Sequence, residues 1–253
     1  NVELAISRKG HDEISELTNN FSHMINELSK NEYLHKDFVS NVSHEFKTPI
    51  TAITGYAELL SSPALSNEKR LEYADVITRQ SNRLAKLSSD LLRLSELENE
   101  QLTIKRETFR LDEQIRDAVL LLQNEWEQKD IAMDINLEQV PFIGDKALMY
   151  QVWINLIGNA IRYTGGEGKI RIMLHQSSNK VNVRIKDNGI GMTEEQMKRI
   201  FERFYRAEES RTTGGTGLGL PIAKRIIILH GGKIAVSSKP NNGTEFIVEF
   251  EHS

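Results

Sequence analysis

The chain has 253 residues, 39% of them hydrophobic and 27% charged, the composition of an ordinary globular protein with room for two modest domains. Its formal net charge of −4, without a long basic run, excludes an electrostatic footprint for nucleic acid. There is no cysteine, which removes disulfides and thiolate chemistry, and no apolar run of the roughly 18 residues needed to cross a bilayer.

The sequence opens at Asn1 directly in helix-like texture, which reads as a fragment whose upstream part, with any membrane anchor, is missing. Ile14, Leu17, Phe21, Met24 and Leu28 follow the three-four spacing of a short coiled-coil seam. Asp12 and Glu13 precede it and suit the positive end of a helix dipole. A second seam runs Val39, Val42, Phe46, Ile50, Ile53, Ala57, Leu60. The two are out of phase, so a register shift is expected between residues 28 and 39.

Within that second helix lies Ser43-His44-Glu45-Phe46-Lys47-Thr48-Pro49. At 100° per residue His44 falls off the apolar seam and faces solvent, and Thr48, four residues on, shares its face. Pro49 removes one helical hydrogen bond and crowds the carbonyl of Glu45, a cost of about 3 kcal/mol in mid-helix. Such a breach of local preference is expected where function needs it. A solvated histidine on an amphipathic helix is also structurally ordinary, so this stretch gains meaning only from the residues downstream of it.

The helix should stop at Ser61-Ser62-Pro63, and Ser66 can cap a second one carrying Ile77, Leu84, Leu87, Leu91 and Leu94 at heptad spacing. Two long amphipathic helices on a short loop make an antiparallel hairpin. One hairpin leaves an apolar stripe on each helix, so pairing into a four-helix bundle, hence a homodimer, is expected.

From about Ile104 the texture becomes strands alternating with helices, and a second domain should begin there. A short strand is expected at Thr108-Phe109-Arg110, then a helix over residues 111–129 with Ile115, Val119, Leu122 and Trp126 on one face. Strands are expected at 131–136, 169–175, 180–186, 233–238 and 245–251, and helices at 145–163, 193–201 and 218–230. Turn residues between the second and third of these strands, and between the last two, indicate hairpins. The expected fold is an all-α helical hairpin, forming a dimeric four-helix bundle, followed by an α/β sandwich with a mixed sheet and helices on one face.

In helix 145–163, Asn155 and Asn159 lie four apart on one face, with Arg162 and Tyr163 beside them. A carboxamide oxygen is a hard neutral ligand for Mg²⁺, and Arg162 offers a phosphate-binding fork, although two asparagines can equally decorate a helix surface. Asp187-Asn188-Gly189-Ile190-Gly191 ends a strand; its glycines permit close approach of a flat ligand, and Asp187 can accept from an exocyclic amine. Thr213-Gly214-Gly215-Thr216-Gly217-Leu218-Gly219, directly before a helix, suits a phosphate cradle. Its spacing matches neither the P-loop nor the dinucleotide fingerprint.

Together these stretches resemble the cytoplasmic part of a bacterial two-component sensor histidine kinase, with an ATP-binding domain like that of gyrase and the heat-shock chaperone ATPases. Residues 43–49 are similar to the family's H box, 155–163 to its N box, 187–191 to the G1 box, 201–205 to the F box and 215–219 to the G2 box. The five occur in the family's order. Residues 12–28 resemble, less specifically, the closing helix of a HAMP signal-relay module.

The resemblance implies domains at 1–30 (partial HAMP), 31–100 (dimerisation and histidine phosphotransfer) and 101–253 (ATP binding). It implies His44 as phosphoacceptor, Glu45 as proton acceptor, and Thr48 as the residue aligning water in a phosphatase reaction. For ATP it implies Asn155, Asn159, Arg162, Tyr163, Asp187, Gly189, Ile190, Gly191, Arg206, Gly215, Thr216, Gly217, Leu218, Gly219 and Thr244, with Asn159 on Mg²⁺ and a lid over residues 193–216. The implied partners are a second copy and a response regulator, with no nucleic acid, and with a membrane only through the missing upstream segment. Arg162 stands where lysine is commoner, and Met192-Thr193 end the G1 turn; neither removes a required group. Two other readings stay open: a dimeric ATP-binding scaffold without phosphotransfer, and a gyrase-like ATPase. The latter is disfavoured because Asn155 stands where a base for water would be glutamate.

Overall fold

A computed structural model describes residues 35–62, 65–99, 102–207 and 215–251. The coiled-coil and HAMP-like expectations for residues 1–30 lie outside these, as does most of the 28–39 register shift. The chain divides into two compact units, the second starting at Arg93.

The first unit is a helical hairpin. Helix α1, His35–Leu60, stops before Pro63, and α2, Asn67–Glu98, starts behind Ser66, whose Oγ accepts from the Lys69 amide at 3.3 Å. Arg70 ties the loop by donating to the carbonyls of Ser62 and Leu65. Val42 and Phe46 on α1, with Leu84, Leu87 and Leu91 on α2, are buried. Each such side chain contributes about 1.5–3 kcal/mol over its exposed state. Within the single hairpin Pro49 is buried and Ile50 is 47% exposed, and α1 continues through the proline. A proline has no N–H to satisfy, so the ring can enter the apolar face without stranding a donor.

The second unit is built on a five-stranded mixed sheet. Its order is β2 (Ala132–Leu137), β4 (Lys169–Ser177), β5 (Lys180–Asp187), β7 (Thr244–Glu251) and β6 (Lys233–Ser238). Only the β2–β4 pair is parallel; both expected hairpins are antiparallel. Period-two alternation places Ile172, Ile185 and Phe246 in one cross-strand row, and Leu174, Val183 and Val248 in the next, all buried. Against this unit's apolar core pack α3 (Leu111–Leu121), α5 (Lys146–Tyr163) and α6 (Gly219–Leu229), with α5 touching both other helices.

Two sequence expectations are corrected in this unit. The helix expected over 111–129 breaks at Leu122, and a short α4, Gln123–Glu127, comes after it. The break lets the Trp126 indole N–H reach the Val119 carbonyl at 3.2 Å. Strand β3, Pro141–Gly144, is additional to the expected strands; it pairs with β1, Glu107–Arg110, from Glu107 opposite Gly144 to Arg110 opposite Pro141. A four-residue strand beginning with proline has too little periodicity to announce itself, and only its distant partner defines it.

Helix α5 is pinned at its start by three independent devices. Asp145 caps it, accepting from the Leu148 amide at 3.0 Å. The Asp145 amide donates to His230 Nε2 at 2.9 Å, while His230 Nδ1 donates to the Ile226 carbonyl at 2.8 Å, which fixes a neutral imidazole. Burial lowers the His230 pKa in the same sense. Gln114 bridges the Lys146 carbonyl and the buried indole of Trp153.

Candidate active site

In the first unit, His44 is exposed one position from Glu45. The Glu45 carboxylate is held from the other helix by Arg83 at 2.9 Å, both side chains about three-quarters covered. Nothing local in the sequence points to Arg83, which lies 38 residues from its partner. The Thr48 hydroxyl donates to the His44 carbonyl at 3.2 Å, so the two side chains share an exposed face, as the four-residue spacing requires.

In the second unit, alternation along β5 turns Val181, Val183 and Ile185 inward, and the next inward position is Asp187. An acid at a core-facing place is 4% exposed, and burial raises its pKa above the ordinary carboxylate range. Its Oδ1 accepts from the Gly189 amide at 2.9 Å and the Thr244 amide at 3.2 Å, while Oδ2 stays available as an acceptor. Thr244 Oγ1 lies 2.9 Å from Ser238 Oγ, which spends its proton on the Gly243 carbonyl at 2.7 Å.

The turn after Asp187 is closed from two sides. The Ile190 amide donates to the Tyr163 carbonyl at the end of α5, and Gly243 donates to the Gly189 carbonyl. A Cβ on Gly189 would lie 2.2 Å from the Tyr163 oxygen, and one on Gly191, at φ +66°, 1.9 Å from the Lys239 oxygen. Only glycine fits either place. Ile190 stays 47% exposed.

The second glycine stretch also converges on α5. A Cβ on Gly215 would meet the Arg162 guanidinium at 2.7 Å, and one on Gly219 would meet Asn155 Oδ1 at 3.3 Å. Gly217, at φ +70°, lies against the backbone of Phe204, whose amide donates to the Gly217 carbonyl at 3.1 Å. Thr216 is buried, its Oγ1 accepting from the amide of the fully buried Leu218. Phe201 is covered by the Lys224 ammonium, 4.9 Å from its ring, and Tyr205 by Arg199, at 4.5 Å. Arg206 is half-buried; residues 208–214, in the later part of the expected lid, lie outside the described residues.

In the second unit, the Asp187 turn and the Gly215–Gly219 stretch both meet α5. Asn155, Asn159, Arg162 and Tyr163 are half-buried along it; the Asp187 turn closes on its last carbonyl, that of Tyr163, and the Gly215–Gly219 stretch on Arg162 and Asn155. Asn155 Oδ1 accepts from Gln151, but its Nδ2 is buried with no hydrogen-bond partner, an expensive condition that an anionic ligand would relieve. Among the described residues no cluster of His, Cys, Asp or Glu can hold a metal by itself. A neutral amide set of this kind suits Mg²⁺, which takes most of its ligands from phosphates and water.

Two family models match the chain: the His Kinase A (phospho-acceptor) domain over residues 34–100, and the histidine kinase-, DNA gyrase B- and HSP90-like ATPase over residues 144–253. The catalytic domain of histidine kinase ThkA is 34% identical, with 97% of it and 58% of this chain aligned and a TM-score of 0.52. The chain belongs to the sensor histidine kinase family. The structure of ThkA in complex with the response regulator protein TrrA aligns over 96% of this chain and 68% of that one, at 27% identity and a TM-score of 0.74. Sensor protein kinase WalK of Staphylococcus aureus is 34% identical over 233 residues, 89% of this chain. The chain spans 56% of that WalK sequence and 38% of the one from strain JH9.

Proposed function

We propose that this chain is an autophosphorylating protein-histidine kinase that moves the γ-phosphoryl group of ATP to His44 and onward to an aspartate of a response regulator. The observation that carries the reading is the core-facing Asp187. A buried carboxylate held on one oxygen by two amides, with its other oxygen available, is costly for a fold alone and apt for accepting from the amino group of adenine. Ile190, Gly189, Gly191 and Thr244 line that end, and Asn155, Arg162, Tyr163, Arg206 and the 215–219 stretch receive the phosphates.

Asn159 would hold Mg²⁺, which when bound would supply positive charge to offset that on the phosphates. A ring nitrogen of neutral His44 attacks the γ-phosphorus as the bond to ADP breaks. Glu45, oriented by Arg83, takes the proton from the other ring nitrogen. Thr48, on the same exposed face, would align water against the phosphorylated regulator, giving a phosphatase activity. We assign residues 31–100 to dimerisation and phosphotransfer and 101–253 to ATP binding. The exposed Val39, Ile50, Leu59 and Leu71 of the hairpin fit burial against a second copy in a homodimer. The cellular setting that fits this family is the cytoplasmic side of a membrane-anchored sensor.

The test is a chase. The purified chain is labelled with γ-labelled ATP and Mg²⁺, freed of nucleotide and mixed with a response-regulator receiver domain. Label should leave the chain and appear on the receiver's aspartate. Label that never enters a chain still able to bind ATP would favour the scaffold reading.

A further inference from the structure

A lysine outside every motif closes the end of α5. The last carbonyls of a helix have no partner within it and must find one elsewhere. At the end of α5 each of them is met. The Ala160 carbonyl accepts from the Thr164 amide at 3.0 Å. The Tyr163 carbonyl accepts from Ile190 at 3.2 Å. The carbonyls of Ile161, Arg162 and Thr164 accept from Lys129 Nζ at 2.8, 3.0 and 3.1 Å, using all three ammonium protons.

Local structure delivers Lys129 to this spot. The turn after α4 closes on a left-handed residue, Asp130 at φ +52°, with the Asp130 amide donating to the Glu127 carbonyl and the Ile131 amide to the Trp126 carbonyl. Buried Ile131 anchors the far side of that closure. The backbone answers in kind, because the Lys129 carbonyl accepts from the Glu167 amide at 3.1 Å. The ammonium also sits at the negative end of the α5 dipole. Burial and the neighbouring Arg162 cation both pull its pKa below the ordinary lysine value, so the charge is held there at some cost.

We propose that Lys129 is a positioning residue for nucleotide binding: it fixes the final turn of α5, so that the Tyr163 carbonyl meets Ile190 and holds the Asp187–Gly191 turn, and Arg162 is aimed at Gly215. This rests on the ATP reading above. Lys129 touches no nucleotide in this scheme and acts through α5. The lysine does for the helix end what a capping side chain does at a helix start, but it does so where the adenine turn closes.

The experiment compares the full chain with Lys129→Met, and measures ADP affinity by titration calorimetry, melting temperature, and amide hydrogen exchange without nucleotide. A folded Lys129→Met should bind ADP about tenfold more weakly, and the Ile190 amide should exchange faster while that of Ile157, in mid-α5, does not change. Lys129→Arg should restore most of the affinity. If Lys129→Met does not fold, Lys129→Gln is judged by the same criteria; failure of both to fold would make the residue purely structural and overturn the proposal. So would unchanged ADP affinity with unchanged Ile190 exchange. A parent chain that does not bind ADP would instead sink the nucleotide reading, and Ile190 exchange would then decide the role of Lys129 alone.

Discussion

Replacing Asp187 by Asn separates what the acid does for the fold from what it does for the ligand. The substitution keeps Oδ1, and with it both bonds from the Gly189 and Thr244 amides. It exchanges the available Oδ2 for an NH₂ donor that points where the adenine amine is expected. One charge-assisted hydrogen bond, worth about 1.5–3 kcal/mol, is lost, and two donors then face each other. ADP affinity should therefore fall by about tenfold to a little over a hundredfold, at about 1.4 kcal/mol per decade.

The stability of the empty protein should move the other way. Burial raises the Asp187 pKa above its ordinary 3.8, so the fold prefers the protonated acid. That preference contributes fully below the unfolded value and is lost as pH rises through the folded one. As pH rises, Asp187 thus weighs increasingly against the fold. Asp187→Asn should melt higher than the parent at pH 7 and gain nothing near pH 3. Calorimetric titration with ADP, together with melting curves across pH, reads both effects. Unchanged ADP affinity in a folded Asp187→Asn protein would refute the assignment of the base pocket.

Three further outcomes are expected from the same geometry. Arg83→Ala removes the cross-helix ion pair to the Glu45 carboxylate and should slow autophosphorylation several-fold while leaving ADP affinity as it is, a split read by comparing labelling rate with calorimetry. Gly243→Ala asks a side chain to adopt φ +75° with its Cβ 1.9 Å from the Asp187 carbonyl; the left-handed backbone alone costs about 1–2 kcal/mol, so the melting temperature of the second unit should drop clearly. Pro49→Ala relieves a mid-helix proline one turn past His44 and should alter the ratio of kinase to phosphatase activity without changing ATP affinity; equal ratios in mutant and parent would remove a role for the proline.

Much of the fold is legible in the sequence because it is periodic. Heptad spacing in α2 marks Leu84, Leu87, Leu91 and Leu94, all buried, and alternation in β4, β5 and β7 marks the sheet face that becomes the core. The same alternation makes Asp187 conspicuous, an acid where the pattern calls for an apolar residue. What escapes the sequence depends on partners far along the chain. Strand β3 exists through β1, which lies two helices earlier. Arg83 gains its role from Glu45 across the hairpin, and His230 from Asp145, 85 residues away. Lys129 looks like any solvated cation at the end of a polar helix until the three carbonyls above it are seen.

The central claim is that the second unit uses ATP to phosphorylate His44. Incubation with γ-labelled ATP and Mg²⁺ tests it most directly, comparing the parent with His44→Ala and Asn159→Ala. The account predicts acid-labile, base-stable label on the parent, none on His44→Ala, and little on Asn159→Ala. Label that persists in His44→Ala, or that never appears on a parent binding ATP, would contradict it.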